Sequence, residues 1–201
     1  AGATTRALEM GIPVSEVASN AAYTAAYALY SLPTSLITVS VTTAVFTRMA
    51  RAAAHGQHST LATITSQTLR IVATFNFLAG AGLIALSLPL SRVMLPFVST
   101  AEIRSLAPVL AAMTLGLIGV GATTVFNRVY YALEDTRGAF FIGLPWQILG
   151  VIGYSASMLL PPRWVVVGIA LTMALTNTLA GIVMYLVLRK RIGGFDDAQL
   201  I

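Results

Sequence analysis

Five long stretches of this chain carry no charged side chain. There are 31 uncharged residues between Glu16 and Arg48, 21 between Arg70 and Arg92, and 23 between Arg104 and Arg128. Another 25 separate Arg137 from Arg163, and 25 more separate Arg163 from Arg189. A helix needs about 20 predominantly apolar residues to cross a hydrocarbon core of roughly 30 Å. Hydrocarbon offers no partner to backbone N–H and C=O groups, so each stretch must bond internally, as a helix does. The pattern predicts an all-α fold, a polytopic membrane helix bundle with five spanning helices.

Composition agrees. The 201 residues are 57% hydrophobic and 9% charged, against roughly a quarter charged in soluble domains. The net charge of +5 does not point to nucleic acid, because the basic residues lie between oily runs rather than in one patch. Cysteine is absent, which excludes disulfides, thiolate metal sites and thiol nucleophiles. No Ser-His-Asp set, paired buried carboxylates or Gly-rich phosphate loop is visible, so a transporter is expected rather than an enzyme, with no cofactor. His55 and His58 have a metal-like spacing but no third ligand nearby, and read as solvated loop histidines.

Basic residues set orientation. Arg48, Arg51, Arg70, Arg128, Arg137, Arg189, Lys190 and Arg191 fall on one side of the expected topology, and Arg6, Arg92, Arg104 and Arg163 on the other. The richer side is expected in the cytoplasm. The organisation is then an extracytoplasmic loop at 1–17 and a spanning helix at 18–46, followed by a cytoplasmic loop with an interfacial helix at 47–70. Spanning helices follow at 71–91, 105–131, 139–160 and 165–188. Extracytoplasmic connections occupy 92–104 and 161–164, a cytoplasmic turn 132–138, and a cytoplasmic tail or linker 189–201. With no initiator Met, no signal peptide and an odd helix count, the chain reads as a piece of a longer protein.

None of the five windows contains a charge, so no intramembrane proton relay is expected within them. The first does carry neutral polarity. Asn20, Tyr23, Thr24, Tyr27, Ser31, Thr34, Thr38 and Thr42 recur every three or four residues and fall within an arc of roughly 100°. Pro33 frees a carbonyl on its preceding turn and is a candidate hinge. The stripe lines a hydrophilic cavity, or belongs to a buried helix whose hydroxyls bond their own backbone. The later helices carry rows of small residues, such as "GLIGVG", Gly143, Gly150 and Gly153, and Gly168, Thr172, Thr176 and Ala180, which suit close helix packing. Gln147 and Asn177 either bond neighbouring helices or reach a cavity.

The segment "NRVYYALEDTRGAF" concentrates charge in a chain that has little. Arg128 can snorkel from the end of its helix, and Asp135 and Thr136 are candidate caps for the next. The same residues carry a resemblance. "RVYYALEDTRGAF" resembles the R-x-F-Y-A-L-x-D-T-R-T-P signature of the MviN/MurJ family, the lipid II flippases of bacterial peptidoglycan synthesis, with Arg128, Tyr131, Asp135, Thr136 and Arg137 in motif positions. "LPTSLITVSVTTAVFTRMARAAAHG" is similar to that family's L-P-x-G-x-x-x-V-S-x-x-T-x-x-x-P-R-x-S stretch, and "LVLRKRIGG" to the exit of its twelfth helix.

The resemblance implies helices eight to twelve of a fourteen-helix exporter of the multidrug/oligosaccharidyl-lipid/polysaccharide superfamily, within its second lobe. It implies alternating access in the bacterial cytoplasmic membrane, with lipid II (undecaprenyl-pyrophosphoryl disaccharide-peptide) as substrate. Membrane lipid and the proteins of wall synthesis and division are the other expected partners. Asn20, Tyr23, Tyr27, Tyr30, Ser31, Thr34 and Thr38 become the candidate cavity residues, the tyrosines offering hydroxyls and aromatic faces to sugar. Some positions depart from the family: Ala28 and Ser31 stand where well-studied members have Arg and Glu, Thr47 replaces the usual Pro before Arg48, and Gly138 a Thr. Alternatives are a related exporter of polysaccharide-lipid or of drugs by cation exchange, or a non-transporting scaffold for wall synthesis.

Overall fold

The structure is a computed structural model that describes residues 8, 10, 11, 20–94 and 100–192, without the side chains of residues 20–23, 94, 100–105 and 163. Its elements are α1 (Asn20–Pro33), a π-helical segment (Thr34–Thr38), α2 (Val39–Ala54), α3 (His58–Ala85), α4 (Ser87–Met94), α5 (Thr100–Thr114), α6 (Leu117–Ala132), α7 (Thr136–Ser157) and α8 (Pro162–Ile192). No strand occurs among the described residues.

Four helical runs are long and apolar enough to cross a membrane: Thr24–Ala54, His58–Ala85, Thr136–Ser157 and Trp164–Ile192. The pair Leu106–Thr114 and Leu117–Ala132, bent by 40°, makes a fifth if taken as one span. The side chains fit that medium. Phe77, Phe140, Phe141, Val151 and Leu175 are each more than 60% exposed, a surface that would drive association in water but is matched to lipid.

Proline and glycine explain where the windows break. Pro33 cannot donate to the carbonyl four residues back, and the chain widens at once into the π segment, where the Val39 N–H donates to the Thr34 carbonyl. Pro89 likewise deprives the Ala85 carbonyl of its donor, and α3 ends there. In the third window the helix breaks at Leu115–Gly116, where the Gly116 N–H turns back to the Met113 carbonyl at 2.9 Å. From His58 the chain runs as one 28-residue helix, His58–Ala85, through the expected interfacial segment and on into the second spanning window. Gly56, at φ 64°, closes α2: its N–H donates to the Ala53 carbonyl and that of Gln57 to the Ala52 carbonyl. This is the paired-bond helix stop that favours glycine.

The described residues form two compact units. One takes Ala1–Leu32, Ala79–Leu117 and Ile148–Thr176. In it Leu106, Val109, Leu110, Met113 and Ala170 are buried. A Cβ added at Gly116 would stand 2.7 Å from the Ala174 Cα, so the break between α5 and α6 touches α8 backbone to backbone. Gly153 meets Thr172 as closely, between α7 and α8.

The other unit takes Pro33–Leu78, Ile118–Gln147 and Asn177–Ile201. Its core gathers Met49, Ala52, Leu61, Ile64, Phe126, Val129, Tyr130, Ala139, Met184 and Leu188 from α2, α3, α6, α7 and α8. A Cβ at Gly119 would lie 2.6 Å from the Thr178 N and 2.7 Å from its Cα. Contacts this close use the small residues where lipid supplies no hydrophobic drive.

Candidate functional site

Along the first spanning helix the polar stripe divides by burial. The side chains of Asn20 and Tyr23 lie outside the described set. Thr24 is exposed and Tyr27 is 48% exposed. Tyr30, its ring 6.0 Å from that of Tyr27, is buried at 3%. Of the two aromatic candidates with described side chains, Tyr27 therefore offers a ring to the surroundings while Tyr30 belongs to the packing. Ser31 is half-buried, and its hydroxyl donates to the Ala28 carbonyl at 2.9 Å. Ala28 and Ser31 thus carry an exposed methyl group and a back-bonded hydroxyl.

Past Pro33 the stripe turns inward. Thr34 is half-buried, with its hydroxyl oxygen sealed. Thr38 and Thr42 are fully buried. The Thr42 hydroxyl donates to the Thr38 carbonyl at 2.7 Å and to that of Val39 at 3.1 Å, as threonines in apolar helices commonly do. Thr38 instead reaches another helix, donating to Asn76 Oδ1 on α3 at 3.4 Å.

Asn76 is 1% exposed, a residue that sequence reasoning passed over. It sits where a Cβ on Gly121 would strike its amide nitrogen, with Val72 Cγ1 2.8 Å from the same point. Gly121 is small so that α6 can lie against this amide. An uninterrupted apolar run with one Asn in it is the only signal that could have singled the residue out. Interhelical hydrogen bonds in membranes average about 0.6 kcal/mol, so this pair specifies register more than it stabilises.

The second candidate region is the turn from α6 to α7. The Glu134 N–H donates to the Tyr131 carbonyl at 3.1 Å and the Asp135 N–H to the Tyr130 carbonyl at 2.9 Å. Glu134 takes φ 57°, the left-handed position that closes such a helix end. Asp135 then caps the next helix, its Oδ1 accepting from the Gly138 N–H at 2.8 Å. Its Oδ2 is bonded to Arg191 Nη1, 56 positions on, in the last turn of α8. Arg191 and the Gly138 N–H hold the Asp135 carboxyl below the usual carboxylate range. Of the two proposed caps, Asp135 fills the role. Thr136 is the first residue of α7 and is exposed, as is Arg137.

Arg128, half-buried on α6, places its guanidinium 5.7 Å from the centre of the Phe46 ring on α2, a cation–π contact. Tyr131 is 44% exposed. His55 and His58 are both exposed, and His55 Nδ1 lies 2.8 Å from the Arg51 carbonyl oxygen. The three stretches that carried the resemblance meet in one core: Met49 and Ala52 from the first, Val129 and Tyr130 from the second, Leu188 and Ile192 from the third.

Apolar helices long enough to span, packed through glycine, with charge concentrated at helix ends, define a multi-pass membrane protein. The family described as lipid II flippase MurJ matches residues 13–201, and the chain belongs to that family. Among curated proteins none matches the chain. At the level of the family, a membrane transport protein of peptidoglycan biosynthesis follows.

Proposed function

We propose that this protein flips lipid II across the bacterial cytoplasmic membrane by alternating access, without covalent chemistry. The observation that carries the reading is the family match over residues 13–201. Moving a pyrophosphate and sugar head through hydrocarbon costs many kcal/mol of lost hydration. A wet interior bounded by neutral hydroxyls and tyrosine rings lowers that cost. Exposed Thr24 and Tyr27, with Ser31 a turn further on, supply such groups on α1. The break after Pro33, where one turn is π-helical, is a natural place for that helix to bend. π-helical insertions recur at functional sites.

Depletion in a living bacterium tests the function. The expected result is growth arrest with lipid II confined to the inner leaflet. Arrest with normal lipid II distribution would favour the scaffold reading, to which the neutral Ala28 and Ser31 give some support.

A further inference from the structure

The first spanning helix changes phase where it widens. Below the π segment its buried positions are Thr38, Thr42, Met49 and Ala52. Above it they are Ala26, Leu29, Tyr30 and Pro33. The step from Pro33 to Thr38 is five residues, where an α-helix returns to one face every three or four. It coincides with the π turn Thr34–Thr38. In an unbroken α-helix Thr24, Tyr27, Ser31 and Thr34 would share the face of Thr38 and Thr42. The buried Ala26, Tyr30 and Pro33 instead stand one residue before Tyr27, Ser31 and Thr34. An extra residue in one turn rotates what precedes it by about 100°, and that rotation leaves Thr24 and Tyr27 exposed.

One pair of side chains marks the π turn. Among the described residues the buried Thr42, Thr65, Thr68, Thr114 and Thr176 each donate to the carbonyl four residues back. That is the usual bond of a threonine in an apolar helix. For Thr38 the carbonyl four back belongs to Thr34, which in the π turn accepts from the Val39 N–H. The Thr38 hydroxyl goes to Asn76 Oδ1 on α3 instead. In α-helical geometry the Thr34 carbonyl would take the Thr38 N–H, with the hydroxyl beside it, and Asn76 would lose this donor. Asn76 is 1% exposed, and a buried amide oxygen deprived of a donor is costly. The amide on α3 therefore favours the π turn over a straight α-helix.

We propose that Asn76 is a positioning residue for transport, a role that rests on the lipid II function proposed above. Acting through Thr38 it holds the π turn, and the π turn keeps Thr24, Tyr27 and Ser31 off the buried face and available to the substrate head.

The test uses the purified full-length protein in liposomes, with a nitroxide spin label on Tyr27→Cys or Leu29→Cys in turn. Collision with oxygen reports exposure to lipid and collision with a water-soluble nickel chelate exposure to water, so a label shielded from both is buried. With Asn76 in place the label at 27 is expected exposed and the label at 29 shielded, as Tyr27 and Leu29 are. Asn76→Leu should reverse the two. Without the π turn each upstream residue takes the place of the one before it, and Ala26 is buried while Ala28 is exposed. The isosteric Thr38→Val should reverse them as well, whereas Thr38→Ser, which keeps the donor, should retain the original pattern. In a vesicle assay Asn76→Leu is expected to slow lipid II flipping several-fold. An unchanged label pattern in Asn76→Leu and Thr38→Val overturns the inference, and so does a reversed pattern with flipping at the wild-type rate. Should Asn76→Leu fail to fold, Thr38→Val decides by the same two readouts. A wild type that flips no lipid II removes the transport reading, while the label pattern still judges the hold of Asn76 on the turn.

Discussion

Asp135 and Arg191 join the start of α7 to the end of α8 by an ion pair across 56 positions of sequence. Through Gly138 the same carboxylate caps α7, so one side chain fixes a helix terminus and a helix–helix contact together. Asp135→Ala removes both and is expected to lower the thermal midpoint most. Asp135→Asn keeps an acceptor for the cap and loses only the ion pair, so it should fall beside Arg191→Gln. The double variant Asp135→Asn with Arg191→Gln should cost no more than either alone. Arg137→Gln, at an exposed position in the same turn, should leave the midpoint unchanged. Thermal unfolding in detergent ranks all five.

Acid should reveal the same carboxylate. Its folded value is depressed by Arg191 first and the Gly138 N–H second. The stabilisation is therefore complete above the ordinary carboxylate value of about 3.9 and is lost as pH falls through the lower folded value. Wild type should lose more stability than Asp135→Asn between neutral pH and about pH 3. Parallel pH curves for the two proteins would contradict this.

Glycines divide by what lies in front of them. Gly119→Ala would place a methyl carbon 2.6 Å from the Thr178 backbone nitrogen, which cannot rotate aside. A loss of about 1–3 kcal/mol is expected from the forced separation of α6 and α8. Gly143, inside α7, faces nothing within 4 Å, and Gly143→Ala should be neutral or stabilise by up to about 1 kcal/mol. Denaturant titration of the two variants distinguishes them.

Glu134 holds a left-handed φ of 57° that costs a side-chain-bearing residue about 1 kcal/mol. Glu134→Gly should remove that cost and raise the thermal midpoint by a few degrees. A lower midpoint would mean that the carboxylate contributes more than the backbone strain removes.

Tyr27→Leu should slow lipid II flipping while leaving membrane insertion intact, because the ring is half exposed and contributes little to packing. Pro33→Ala restores an N–H to the helix and should favour α-helical geometry over the π segment. Reduced turnover with unchanged expression is the expected outcome, read in a vesicle flipping assay. Normal flipping by both variants would take the first spanning helix out of the transport path.

Much of the fold is legible along the chain because its causes are local. Charge-free runs of membrane length, a proline at 33, and an aspartate ahead of α7 act within a few residues of themselves. The broken third window is less visible, because its cause is Gly116 seated against Ala174, 58 positions away. Thr38 illustrates the same limit: its place on a polar stripe follows from helical periodicity, but its bond to Asn76 depends on how α3 lies against the π segment. The charged turn looks self-sufficient in sequence, with partners of both signs close by, yet Asp135 finds its cation on α8.

By itself the sequence determined the medium and the secondary structure, since lipid leaves an uncharged run of 20 or more residues no other way to satisfy its backbone. Only the tertiary structure decided which polar groups are used up inside the protein and which face outward. Tyr30, Thr38 and Asn76 went to the interior, while Tyr27, Gln67 and Thr74 stayed exposed. Helical periodicity places residues on a common face, but rotation and register between helices are set by glycine contacts between segments far apart in the chain.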